Sequence, residues 1–372
     1  MDEVPRSLRR PLERAAAAAK SRRLSVYAVG GCVRDWMLGK PVKDIDLSVE
    51  GEALPLAKAA ARGGGRWEAF DRFGTVRVFF PGGSRLDFAR ARAETYGAPA
   101  ALPIVRPATI LEDLRRRDFS VNAMARPLGE GLSMLLDPHG GRKDLRDKRL
   151  RVLHEKSFED DPTRLFRAAR YAARLGMKPE ARTYALMREA VAAGIPKLLS
   201  RERIRQELLL LLGEDTAEGA MSLLKKWGLF PTLHKDFAWY TTAQNARGPL
   251  ARLGLAVLSM PEGSAEEFLR SLHLDREQSQ ALLLALRQAR SRMSPRAPLP
   301  ELSLQVLAAA FPKLPGSALQ PVLLNGEDLK RLGLKPGKDF SRILDEAARA
   351  QWRGALQNRA GALLWLSRYV PK

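Results

Sequence analysis

Cysteine is all but missing from this chain. Cys32 stands alone among 372 residues, and histidine occurs four times. A disulfide framework is excluded, and a Cys/His zinc site has too few ligands to draw on. Apolar runs are short: residues 208–212 are far from the length that spans a bilayer. The N-terminus is charged and Arg-rich, without the apolar stretch of a secretory signal. No membrane partner is expected, and a cytoplasmic location is the default. Acidic residues are also in deficit. There are 42 Asp and Glu against 63 Lys and Arg, a formal net charge of +21. Such an excess attracts polyanions. An Arg-rich surface of the thermophile kind is the plainer alternative. Acidic lipid competes less well, because no basic amphipathic helix with an aromatic face stands out.

What is present suffices for more than one domain with a buried core: 45% of residues are hydrophobic and 28% charged. Residues 1–23 read as a basic helical lead-in. Strands are expected at 25–29, 44–49, 67–70, 75–80 and 85–89, and short helices at 33–38 and 52–62. Pro81-Gly82-Gly83 reads as a hairpin connection. The first region is therefore α/β with a mixed, largely antiparallel sheet. From residue 158 the apolar spacing turns helical: 161–175, 181–193, 200–212, 216–227, 264–274 and 277–289. Gly176, Gly194, Gly213 and Gly228 stand just past four of these helices as stop signals. Residues 291–300 read as a linker, and 302–372 as helical again.

Three constellations carry chemistry. In the first, Gly30-Gly31-Cys32-Val33-Arg34-Asp35 precedes Asp44-Ile45-Asp46. Glycines let the backbone approach phosphate oxygens. A strand carrying Asp-x-Asp puts both carboxylates on one face. Two acids so close repel unless a cation lies between them, which suits Mg²⁺. Arg34 can neutralise phosphate or pair with Asp35, and Asp87 on a later strand can be a third carboxylate. The bland alternative is a tight turn before an edge strand with surface acids. In the second, Arg115-Arg116-Arg117-Asp118-Phe119-Ser120-Val121-Asn122 gathers groups for phosphate and ribose. It reads equally as a charged helix end with Asp118 and Asn122 as local caps. In the third, Pro162 fits a first helical turn with Asp161 as N-cap. At about 100° per residue, Asp161, Arg164, Arg167, Arg170 and Arg174 share a side. They form either a solvated face or a base-reading pair, Asp161 and Arg164, with Arg167 and Arg170 reaching toward phosphate.

In this order and spacing, together with Leu136-Asp137-Pro138-His139-Gly140-Gly141, the motifs resemble those of the class II tRNA nucleotidyltransferases and poly(A) polymerases of the polymerase β-like superfamily. The resemblance covers most of 24–230 and part of 325–360. It implies a nucleotidyltransferase head at 1–145 followed by all-α neck (146–215), body (216–295) and tail (296–372), with body and tail binding tRNA. It implies that Asp44 and Asp46 hold Mg²⁺, and that Arg117, Asp118 and Asn122 handle triphosphate and ribose. Asp161 and Arg164 would act as an amino-acid template for CTP or ATP. Asp160 stands where many members carry Glu.

The implied activity is addition of C and/or A to the 3′ end of tRNA with release of pyrophosphate. C-C-adding members are missing a flexible loop between the Asp-x-Asp and Arg-Arg-Asp segments. Residues 92–103 fill that place with Gly, Ala and Pro, which implies a mobile lever and disfavours a pure C-C enzyme. A poly(A) polymerase and a catalytically inactive RNA-binding protein on the same fold are the rivals.

Overall fold

The computed structural model describes residues 4–70, 74–130, 132, 134–239 and 246–369. The extreme ends of the expected head and tail, 1–3 and 370–372, lie outside the described residues. The first half supplies strands β1 (Ser25–Val29), β2 (Asp44–Glu50), β3 (Arg66–Phe70), β4 (Thr75–Phe79), β5 (Arg85–Arg90), β6 (Arg92–Thr95), β7 (Ile104–Pro107) and β8 (Ala125–Pro127). A six-stranded sheet runs in the order β3-β4-β5-β2-β1-β8. Within it β2 and β5 are parallel and the other neighbours antiparallel, as the mixed, antiparallel-rich expectation had it.

Period-two alternation gives this sheet two unlike faces. Ile45, Leu47 and Val49 of β2, Val76 and Val78 of β4, and Leu86 and Phe88 of β5 are buried. They pack into one core with Leu8, Leu12 and Ala15 of α1 (Arg6–Ser21) and Leu56, Ala57 and Ala60 of α3 (Leu54–Ala61). The other face therefore carries Asp44, Asp46 and Asp87. Burying aliphatic side chains of this size is worth ~1.5–3 kcal/mol each, so the register that turns the acids away from α1 and α3 is strongly fixed.

Between these elements lie α2 (Gly31–Met37) and, further on, α4 (Ile110–Arg115), α5 (Gly141–Arg146), α6 (Ser157–Asp160), α7 (Thr163–Leu175) and α8 (Ala181–Ala192). Three expectations need correction. The second helix begins at Gly31 rather than residue 33, because the Gly30 carbonyl already accepts from the Arg34 N–H at 3.1 Å. Asp161 is not the N-cap of α7. Pro162 holds that position, and Asp161 closes α6 instead. Its carboxylate still accepts from the Thr163 N–H at 3.0 Å, so the capping bond exists one residue out of register. Finally, 92–103, expected as a loop, is in part a strand. Its first four residues form β6, which pairs antiparallel with β7, and the Ala100 N–H donates to the Glu159 carbonyl at 2.8 Å.

The described chain divides into two compact units, 1–198 and 199–372. The second is helical from Arg201–Leu212, capped by the Ser200 hydroxyl, to Arg359–Leu366. The expected linker lies between the helices Arg276–Ser291 and Glu301–Ala310. Among the described residues, no helix is long and apolar enough to cross a membrane.

Candidate active site

Parallel pairing of β2 with β5 aligns Asp44 with Arg85 and Asp46 with Asp87. Strands in register lie about 4.8 Å apart, so three carboxylates share one patch of the open face. Arg85 bridges them: its Nη2 is 3.0 Å from Asp44 and its Nε 3.2 Å from Asp87. Arg77 adds a 3.0 Å bond to Asp87. Asp46 is exposed on this face yet crowded by neighbouring protein. That crowding raises its carboxyl pKa; Arg117 opposes the rise, and Asp87 adds to it. Among the described residues, no three acidic, Cys or His side chains converge ready-made on one point. The donors nonetheless fit a hard divalent cation, being all oxygen, and Arg85 supplies the positive charge that the cluster demands. Asp44 and Asp46 are the side chains that would hold such a cation, with Asp87 alongside.

The glycine turn sits beside this patch. Gly30 has φ +75°, and a Cβ there would lie 2.7 Å from Arg117 Nη1. Arg117 thus lies directly over the turn, where only glycine leaves room. Its Nη2 donates to Asp113 at 2.9 Å, and its buried Nε has no hydrogen-bond partner. Burial works against the Arg117 charge, but Asp113 outweighs it and the guanidinium is held above its usual range. Asp113, only 1% exposed, also binds Arg116 at 2.8 Å. One buried acid thereby fixes both arginines.

Arg34 is 2% exposed and takes the pairing alternative. Its Nε and Nη2 donate to Asp35 at 2.8 and 2.9 Å, and its Nη1 donates to Asn122 Oδ1 at 2.5 Å. Asn122 in turn donates to Asp118 at 3.0 Å, and Asp118 accepts from Arg167 at 2.6 Å. The chain Asp35–Arg34–Asn122–Asp118–Arg167 ties α2 to α7 through a buried turn. Burial alone would raise the Asp118 carboxyl. Arg167 and the Asn122 amide overcome this and hold it at about 2. Tyr171 collects the arginines of α7: the guanidinium carbons of Arg167, Arg170 and Arg174 lie 5.5, 4.9 and 5.6 Å from its ring centroid, with Arg34 at 5.4 Å.

Asp161 and Arg164 arrive beside this cluster from the start of α7. Asp161 accepts from the Thr163 hydroxyl at 2.5 Å. Arg164, 3% exposed, donates to the Ser157 hydroxyl at 2.6 Å and to the Arg116 carbonyl at 2.8 Å. His154 Nε2 stands 3.3 Å from it. Burial, then Arg164, push the His154 pKa down to about 4. The solvated-face alternative for α7 therefore holds only in part: Arg164 and Arg170 lie inside.

Asp113, Glu94, Tyr96, Arg77, Arg85 and Tyr171 went unread in the sequence. Asp113 had a signal, since it stands three and four residues before Arg116 and Arg117 on a helix. Glu94 had none. Arg92 and Tyr96, two residues to either side, share its face of the strand, while the fold brings Arg116 to it from α4's end. Gly141 is fixed by contact: a Cβ there would meet the Ser120 carbonyl oxygen at 2.1 Å.

Residues 26–151 match the family described as the poly A polymerase head domain. The chain is 35% identical over 337 residues to the CC-adding tRNA nucleotidyltransferase of Deinococcus radiodurans, covering 89% of this chain and 85% of that one. It is 44% identical over 218 residues to the A-adding tRNA nucleotidyltransferase of Aquifex aeolicus, covering 58% of this chain but spanning only 26% of the relative. Among solved structures, a CCA-adding enzyme in complex with ATP superimposes with a TM-score of 0.73 at 25% identity, covering 100% of this chain and 97% of that one.

Proposed function

We propose, for a chain that belongs to the tRNA nucleotidyltransferase family, that it adds C and/or A from CTP or ATP to the 3′ end of tRNA and releases pyrophosphate. The observation that carries this reading is the alignment of Asp46 with Asp87 next to Asp44, beside a glycine turn covered by Arg117. That arrangement pairs a cation-seeking carboxylate patch with a phosphate-seeking guanidinium.

The reaction is in-line attack of the RNA 3′-hydroxyl on the α-phosphorus. Mg²⁺, held by Asp44 and Asp46, supplies charge neutralisation and a more acidic hydroxyl when bound. The chain's own residues do the positioning. Gly30 and Gly31 let the triphosphate come close, and Arg117, fixed by Asp113, offers it the guanidinium whose Nη1 lies over the turn. Asp118 and Asn122 lock Arg167 and Arg34 and border the ribose. Asp161 and Arg164 offer an acceptor and a donor to the base edge, with Arg167 and Arg170 behind them. Asp87 completes the carboxylate patch. Positioning and preorganised charge supply most of the rate enhancement in such a site. The division into head (1–145), neck (146–215), body (216–295) and tail (296–372) belongs to this reading, with tRNA held by the helical parts.

Asp46→Asn is expected to abolish nucleotide incorporation while leaving tRNA affinity within about twofold. Retained transfer overturns the reading. Sizing products from tRNAs that lack one, two or all three terminal residues, with each triphosphate, then fixes the nucleotides. The paired β6–β7 ribbon weakens the lever argument against a C-C enzyme, and both CC-adding and A-adding relatives match. Unlimited extension of generic RNA would mark a poly(A) polymerase. RNA binding without Mg²⁺-dependent incorporation would mark an inactive binding protein.

A further inference from the structure

Helices α1 and α3 cover the sheet face opposite the carboxylates, and a groove of about 580 Å³ runs between them. Among its lining residues are the small side chains Ala17, Ala18 and Ala59. Its walls carry Arg14, Arg22, Lys58 and Arg62, and no carboxylate lines it. None of these four cations forms an ion pair among the described residues. Arg14 is anchored by a 2.9 Å bond to the Ala60 carbonyl, while its buried Nε has no hydrogen-bond partner. Lys58 lies in the last turn of α3 and Arg62 is its C-cap, so two like charges end this helix. Trp67 on the edge strand β3 is 40% exposed and lies under Lys58, whose Nζ is 5.0 Å from the ring centroid. The arrangement is a positive groove without counter-charge, with an aromatic ring next to one of its cations.

We propose that this groove is a second RNA-binding site, taking the phosphodiester backbone of single-stranded RNA on the side of the sheet away from the carboxylates. Convergent cations without counter-charge are what a polyanion neutralises, and an exposed aromatic beside them is a stacking platform for a base. Concavity favours a flexible strand over a lipid surface, because a planar array of headgroups cannot follow a groove between two helices. The RNA held here is a different stretch from the one whose 3′ end reaches Asp46, since the sheet separates the two.

The test uses the full chain and a short fluorescent oligouridylate carrying 4-thiouridine. Crosslinks in the unaltered protein are expected on peptides containing residues 14–22 and 54–67. In the triple variant Arg22→Glu/Lys58→Glu/Arg62→Glu, affinity should fall at least tenfold. The slope of log affinity against log salt should become shallower by about 2, from three lost phosphate contacts. Crosslinks confined to other peptides overturn the proposal, as does unchanged affinity and slope in the variant. Loss of binding to phosphatidylserine vesicles with oligouridylate binding intact reassigns the groove to lipid and overturns it too. No arm reads nucleotide transfer.

Discussion

Asp113 organises the site while touching none of the proposed substrates. It is buried, and its two oxygens hold Arg116 and Arg117 at 2.8 and 2.9 Å. Asp113→Asn removes the charge that keeps both guanidinia in place. Breaking a buried pair by one partner costs ~3–5 kcal/mol, so the variant should melt several degrees lower. Its KM for nucleotide should rise tenfold or more, measured in steady state at saturating RNA. Asp118 makes a pH-dependent contribution whose sign is fixed by its depressed carboxyl. The folded value of about 2 lies below the ordinary unfolded value. The stabilisation is therefore fully present above pH ~4 and is lost as pH falls toward 2, amounting to ~2 kcal/mol. Acid unfolding of Asp118→Asn compared with the unaltered chain should show that loss confined to the interval between those two values.

Elements set what these residues can reach. The turn into α2 exists because Gly30 adopts φ +75° under Arg117. Gly30→Ala adds strain at a positive φ and a Cβ 2.7 Å from a guanidinium nitrogen. The expected outcome is a folded protein with unchanged far-UV circular dichroism and incorporation reduced at least a hundredfold. Strand β2 was legible because Ile45, Leu47 and Val49 alternate with Asp44 and Asp46. The partner of β2 was not. Asp87 stood forty-odd residues away on a strand of similar pattern, and only the parallel pairing puts it opposite Asp46. The ribbon of β6 and β7 was missed for a similar reason. Gly, Ala and Pro at its tip read as a loop, while its strands are too short for periodicity to register.

For the molecule as a whole, charge dominates. A net +21 spread over two compact units means that RNA affinity should fall steeply and linearly in log–log form as salt rises. The KM for nucleotide, set by a few buried contacts, should change far less. Measuring both between low and physiological salt checks this. A nucleotide KM that tracked RNA affinity would contradict it. The sheet divides its unit between a face bearing Asp44, Asp46 and Asp87 and a face covered by α1 and α3. That division follows from burial of one aliphatic set rather than from any charged residue.

The sequence alone determined the motif order, the strand alternation that presents Asp44 and Asp46, the glycine bend and the charge excess. Each is local, written within a few residues or in composition. Tertiary structure alone decided that Asp87 joins those acids and that Arg85 bridges them. It also decided that Asp113 and Glu94 fix the Arg116–Arg117 pair, that Arg34 turns inward to Asp35 and Asn122, and that α1 and α3 enclose a groove. These depend on which distant segments pair and which side chains lose water, and neither is encoded in the spacing of a single segment.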